Sequence, residues 1–274
     1  MRQPAEKRAA FRALHESGCF VIPNPWDPGS AKALAQLGFR ALATTSAGFA
    51  FGRGRPDSLD SLRLEDVLAH VAEIVAATDL PVSADFQSGY AEDADGVLES
   101  VARCAQTGVA GLSIEDAAGD GSLFDPAEAT TRVAAARAAV DDAGGDVLLT
   151  ARAECFLVGH ADPLGEAIRR LTAYSEAGAD VLFAPGARAP EDIRSLVEAV
   201  SPKPLNVLIG ADTGLTVADL AELGVRRISV GSALARVAWG AFLRAAEEIA
   251  GSGSFAGLDG AAPFTRLNEM LGDA

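Results

Sequence analysis

Eight short apolar runs, each followed by an alanine-rich stretch of helical period, constrain this chain more than any other feature. The runs are Cys19–Pro23, Ala41–Thr45, Val82–Phe86, Gly111–Glu115, Val147–Arg152, Val181–Ala184, Leu205–Leu208 and Ile228–Gly231. They lack the polar–apolar alternation of a half-buried strand, so they read as strands covered on both faces of a parallel sheet. The segments between them predict helices at Gly29–Leu37, Leu64–Ala77, Ala94–Thr107, Pro126–Ala143, Pro163–Ala177, Ala189–Val200 and Val217–Leu223. Several end alike, in LGF at 37–39, TGVAG at 107–111, AGAD at 177–180 and LGV at 223–225. A glycine just past a helix closes its last turn in the left-handed conformation and releases the chain into the next strand. Eight such units within about 230 residues match a (β/α)8 barrel in number and size. A doubly wound open sheet is the alternative, but its glycine-rich phosphate turn is missing after the first strand, where the chain reads PNPWDPGS.

Two segments fall outside the rhythm. The start, MRQPAEKRAAFRALHESG, forms an amphipathic helix and has no apolar stretch of signal-peptide type. The tail from Ala241 runs through GSGSFAGLDGAAP into a short helix, FTRLNEMLG. The reading is an α/β chain with one (β/α)8 barrel domain over residues 1–274 and residues 241–274 as a C-terminal helical arm. The net charge of −15 leaves no basic surplus for nucleic acid or an anionic membrane. The longest uncharged run, Ala41–Gly52, has 12 residues, against the roughly 20 a spanning helix needs. Cys19, Cys104 and Cys155 are few and dispersed, which suits small buried apolar roles in a reducing, cytoplasmic setting.

A barrel of this class carries its active site at the C-terminal ends of the strands. Residues there are Thr44–Gly48, Asp85–Tyr90, Glu115 and Asp116, Arg152–Glu154, Asn206, and Gly231 with Ser232; Asp57 follows in the loop after strand 2. Asp85, Glu115 and Asp116 follow apolar runs, so their burial requires a partner. With Gln87 beside them they suit a hard divalent cation, Mg²⁺ before Ca²⁺; a salt-bridge ring with Arg152 is the equal alternative. Ser46-Ala47-Gly48 reads as a small-residue turn whose amides can cradle an oxyanion, and Arg152 as a two-point carboxylate holder. The loop Ala117–Pro126 reads as a lid over the mouth. His15 and His70 are expected to face solvent, and His160 to lie near the mouth. GVRRISVGSAL (224–234) has the look of a barrel phosphate loop, although simple small-residue packing explains it better.

NPWD-PGSA (24–31), ATTSAG (43–48), the D-x-Q-x-G-Y run at 85–90, IED (114–116), ARAE (151–154) and the closing LNEMLG together resemble the isocitrate lyase / phosphoenolpyruvate mutase superfamily. The resemblance spans about Phe11 to Gly272. It implies a barrel whose last helix is swapped between subunits of a homodimer or homotetramer. It implies a Mg²⁺ site with Asp85 as direct ligand and Asp57 and Glu115 acting through water, Gln87 replacing a third acid. Thr45, Ser46, Ala47, Gly48, Asp85, Arg152 and Asn206 then form the substrate-binding set, and Asp57, Glu115 and Arg152 the catalytic set. The loop after strand 4 lacks the Lys-Lys/Arg-Cys-Gly-His segment of isocitrate and methylisocitrate lyases, and the mutases' lysine and Asn-Ser pair are absent too. What the resemblance leaves is a Mg²⁺-dependent carbon–carbon lyase or decarboxylase of the oxaloacetate decarboxylase type. Its partner is a small 2-oxo or 2-hydroxy diacid, cleaved through an enolate. Alternatives are a 2-oxo acid-binding protein without catalysis, and a P–C bond enzyme acting on a phosphonate.

Overall fold

The computed structural model describes residues 2–272. Eight parallel strands follow one another as β1 (Phe20–Ile22), β2 (Leu42–Ala43), β3 (Val82–Asp85), β4 (Gly111–Glu115), β5 (Leu148–Arg152), β6 (Val181–Phe183), β7 (Leu205–Leu208) and β8 (Arg227–Ser229). Each pairs with its sequence neighbour from β2 to β8, and β8 returns to β1. At the remaining seam the Ala43 amide donates to the Pro23 carbonyl at 3.1 Å. The result is a nearly closed α/β barrel, as the strand rhythm predicts.

The helices are α1 (Pro4–Glu16), α2 (Pro28–Gln36), α3 (Ser46–Gly52), α4 (Leu64–Ala76), α5 (Ala94–Gln106), α6 (Pro126–Asp142), α7 (Pro163–Glu176), α8 (Pro190–Val200), α9 (Val217–Glu222), α10 (Ala233–Ser252) and α11 (Phe264–Leu271). Their starts are written locally. Asp27, Asp125 and Asp162 each cap a first turn through a side-chain oxygen, and each is followed by proline. Proline at the first helical position already has the required φ and lacks only an amide that would go unbonded anyway. Their ends obey the glycine rule, as at Gly178 with φ 104°. One helix escapes the sequence reading. Residues 46–52 form α3, because Thr45 caps it by accepting the Gly48 amide; the apparent turn is a first helical turn.

α1 closes the N-terminal end of the barrel. The buried Phe11 ring packs with Phe20, Ile22, Ala41, Ala110 and Leu148. A side chain at position 111 would lie 2.7 Å from that ring, so β4 begins with Gly111. His15 stands edge-on between Phe11 and Phe20 at centroid distances of 4.7 and 5.0 Å. His70 is buried and stacks on Phe49 at 3.8 Å. Neither histidine faces solvent as its helix position suggests, because each lies on the inner face of its helix. Cys104 and Cys155 are buried, and burial pushes both thiols up to about 12. α10 runs unbroken through residue 241, and α11 rests on α2 of the same chain, with Gln36 Nε2 donating to the Met270 carbonyl at 2.7 Å. Among the described residues no helix is long and apolar enough to cross a membrane.

Burial, and then the Arg227 charge, hold His15 down at about 3. In the unfolded chain it titrates near 6.5. Between those values the unfolded state binds the extra proton, so His15 makes stability fall as pH falls. Urea denaturation from pH 7 to pH 4 should show His15→Gln losing less stability than wild type, by up to about 1.4 kcal/mol per pH unit. Parallel curves would contradict this account of the barrel floor.

Candidate active site

A cavity of about 340 Å³ opens at the C-terminal ends of the strands. Its wall includes Thr45, Ser46, Ala47, Asp57, Asp85, Gln87, Glu115, Arg152 and Asn206. Of the predicted binding, catalytic and metal-ligand residues, Asp116 stays behind that wall, and so does Gly48. A side chain there would lie 2.6 Å from Thr45 Cγ2 and 2.9 Å from Trp26 Cβ, so glycine is required for packing.

Arg152 is the hub. Its Nη1 lies 2.8 Å from Asp85 Oδ1, its Nη2 3.0 Å from Glu115 Oε2 and its Nε 2.8 Å from Glu154 Oε1. Phe183 lies under the guanidinium, 5.3 Å from Cζ to the ring centroid. The contacts follow from strand register, since Glu115 and Arg152 are partners across β4 and β5. The other oxygen of Asp85 accepts the Ser46 amide at 2.9 Å, and the Asp85 amide donates to Thr44 Oγ1 at 2.9 Å. The Ser46 and Gly48 amides are therefore engaged by Asp85 and Thr45.

Four carboxylates, Asp57, Asp85, Glu115 and Glu154, share this wall with two guanidinium groups, Arg152 and Arg227, and only Arg152 is ion-paired to them. Burial, then crowding by Glu154, Asp85 and Asp57 against the pull of Arg152, raises Glu115 to about 8. Desolvation and Asp85 raise Asp57 as well. Gln87 has φ 43°, a left-handed backbone rare outside glycine, and its Oε1 is buried without a hydrogen-bond partner. Surplus negative charge and an orphan oxygen fit a hard cation. Among the described residues no three acidic, histidine or cysteine side chains close into a chelate, so such a cation would keep water in its coordination sphere.

Two neighbours deviate from expectation, and a third follows the packing reading. The loop 117–126 folds on itself through an Ala117–Leu123 bridge and contributes nothing to the cavity wall. His160 is exposed and pairs locally with Asp162. The Val230 and Gly231 amides both donate to Asn24 Oδ1, at 3.0 and 2.9 Å, so the apparent phosphate loop is tied off internally. Sequence reasoning missed Arg227, which enters the same cavity from β8. An arginine inside an otherwise small-residue strand, RRISVG, was its only signal. It also left Glu154 without a role.

An acidic pocket at this end of a parallel barrel defines a class, the barrel enzymes that act on small polar substrates. Residues 11–250 match the phosphoenolpyruvate phosphomutase family, and the chain belongs to it, within the isocitrate lyase/PEP mutase superfamily. A solved structure from Burkholderia cenocepacia J2315, named only by class as a lyase/mutase, is 45% identical, covers 98% of this chain and 97% of its own, and has a TM-score of 0.93. An uncharacterized protein of Mycobacterium tuberculosis H37Rv is 37% identical over 81% of this chain and 82% of its own length. The oxaloacetate decarboxylase of Paraburkholderia xenovorans is 30% identical over 83% of this chain and 76% of its own. Further relatives are named 2,3-dimethylmalate lyase in Eubacterium barkeri and 2-methylisocitrate lyase in Escherichia coli, so lyases of small dicarboxylates recur among them.

Behind the cavity, buried Asp116 fixes Glu154. Its Oδ1 accepts the Glu154 amide at 2.8 Å, while Oδ2 accepts from Tyr174 at 2.7 Å and pairs with Arg170 at 3.1 Å. Removing one partner leaves a buried charge uncompensated. Asp116→Ala should therefore lower unfolding free energy by about 3–5 kcal/mol in chemical denaturation; a loss under about 1 kcal/mol would remove Asp116 from this role.

Proposed function

We propose that this chain is a Mg²⁺-dependent carbon–carbon lyase, of decarboxylase type, acting on a small 2-oxo or 2-hydroxy dicarboxylate such as oxaloacetate. The observation that carries this reading is the carboxylate surplus around Arg152 beside the unpartnered Gln87 oxygen. A pocket of about 340 Å³ is of the right order for a four- or five-carbon diacid.

Asp85 and Gln87 would hold the cation directly, and Asp57 and Glu115 through water. When bound, it supplies Lewis-acid stabilisation of negative charge at the 2-oxygen. The chain's own residues do the rest. Thr45, Ser46 and Ala47 shape the wall beside Asp85 and keep room for a planar 2-oxo acid. Arg152, braced by Glu154 from behind, would hold the substrate carboxylate in a fixed orientation. That fixed orientation keeps the breaking bond out of the carbonyl plane, where its electron pair can pass into an enolate. Loss of carbon dioxide needs no base to start it. This agrees with a loop 117–126 that has no Cys, Lys or His.

Turnover of oxaloacetate, methylisocitrate and malate-type substrates tests the reading. At least one diacid should be consumed, activity should vanish with EDTA and return with Mg²⁺, and Asp85→Ala should lower kcat/KM at least a hundredfold, on the order of an oxyanion-hole deletion. No turnover above background, with Asp85→Ala indistinguishable, would refute it. Phosphate release from phosphonopyruvate would instead point to P–C chemistry.

We also propose that residues 1–274 act as one barrel domain with an arm, in a homodimer or homotetramer of a reducing, cytoplasmic setting. Val237 on α10 is 68% exposed, Phe242 59% and Phe264 on α11 80%, an apolar face suited to a second copy of the chain. Light scattering should give two or four times 28.0 kDa. Val237→Lys with Phe242→Glu should shift it to one chain; a wild-type monomer would exclude this.

A further inference from the structure

We infer that Arg227 is the anchor for the remote carboxylate of the diacid, and that it makes the site selective for dicarboxylates over monocarboxylates. This rests on the reading just given, and deepens it by naming what holds the far end of the substrate. Arg227 is the first residue of β8 and is 5% exposed, yet it lines the same cavity as Asp85 and Arg152.

Its partners are all neutral. Nε donates to Asn206 Oδ1 at 2.8 Å and Nη2 to Thr150 Oγ1 at 3.0 Å. Nη1 lies 3.4 Å from His15 Nε2. His15 Nδ1 sits 2.8 Å from the Phe11 carbonyl. That oxygen only accepts, so the proton is on Nδ1 and Nε2 is left as an acceptor. A guanidinium has five N–H groups, so two remain for a ligand. Among the described residues no carboxylate forms an ion pair with Arg227. Burial alone moves its pKa, down to about 9, so it remains charged at neutral pH.

A buried guanidinium without a counter-ion is costly, and its position inside a substrate cavity identifies the missing partner as an anion. Arg152 cannot serve both ends, since three carboxylates engage it at the mouth. The cavity is thus split, with surplus negative charge at the mouth and one uncompensated positive charge in its depth. A diacid held by its 2-oxo end beside Asp85 meets Arg227 with its other end, where the Ser83, Ser113 and Ser229 hydroxyls share the wall. Asn206 is then a positioning residue: its amide is spent between Arg227 Nε and Ser229 Oγ, the latter at 3.0 Å.

The test uses unreactive ligands and calorimetry with Mg²⁺ present. 2-Oxoglutarate, whose remote carboxylate is not beta to the carbonyl and so is not lost, is compared with 2-oxovalerate, which has a methyl where the remote carboxylate was. Oxalate, which has no remote end, is the control. Wild type should bind the diacid at least about thirtyfold tighter than its methyl counterpart, the scale of one buried charge pair. Arg227→Met should reduce that ratio to within about threefold and leave oxalate affinity unchanged; Arg227→Lys should retain part of the ratio. If wild type does not discriminate, the inference fails whether or not the variants fold. Equal weakening of oxalate and diacid by Arg227→Met also overturns it, because the effect is then structural. Failure of wild type to bind oxalate at all would strike the diacid reading itself, and this inference with it.

Discussion

A single guanidinium holds the functional end of this barrel together. Arg152 bonds three carboxylates from three segments, at 2.8, 3.0 and 2.8 Å. Removing it would leave Asp85, Glu115 and Glu154 facing one another without the guanidinium they share. The charge is nonetheless unbalanced in the other direction, since Asp57 adds a fourth acid to the same wall. Burial, and then this crowding of like charges, raises Glu115 and Asp57, and the crowding gives a divalent cation a reason to bind. Buried clusters of this kind are weak contributors to stability and strong determinants of geometry.

The scaffold is arranged to fix that hub. Register across β4 and β5 sets Glu115 opposite Arg152. Asp116, one residue further on, holds Glu154 by its amide and is itself clamped by Arg170 and Tyr174 of α7. The floor is built differently. There α1 inserts Phe11 and His15, and a neutral imidazole acceptor supports Arg227 without cancelling its charge. One cavity therefore has two poles of opposite sign, an arrangement that fits a substrate with two unlike ends.

Much of this is legible in the sequence, and the limits have physical causes. Strand and helix order follow from unalternating apolar runs and from glycine-closed helix ends, which are local signals. Asp85, Gln87, Glu115 and Arg152 could be placed at the mouth because strand ends map there in any such barrel, whereas Asn206 lies deeper, in register with Arg227. The short helix α3 was hidden, because Ser46-Ala47-Gly48 has turn composition and only the Thr45 cap makes it helical. The orientation of His15 and His70 was hidden because a lone histidine does not report which helix face is buried. Arg227 was hidden for a deeper reason. An arginine beginning a strand looks like a surface residue, and only closure of the barrel turns it inward.

The most direct test of the central claim is the linkage between metal and ligand. Mg²⁺ titrated into the protein with and without saturating oxalate should show mutual enhancement, each raising the affinity of the other by the same factor. In the proposed reading the carboxylate surplus seats the cation, and the cation with Arg152 seats the acid, so the two should depend on each other. Oxalate binding of equal strength with and without Mg²⁺ would mean that the internal ion pairs of Arg152 are the whole purpose of the cluster.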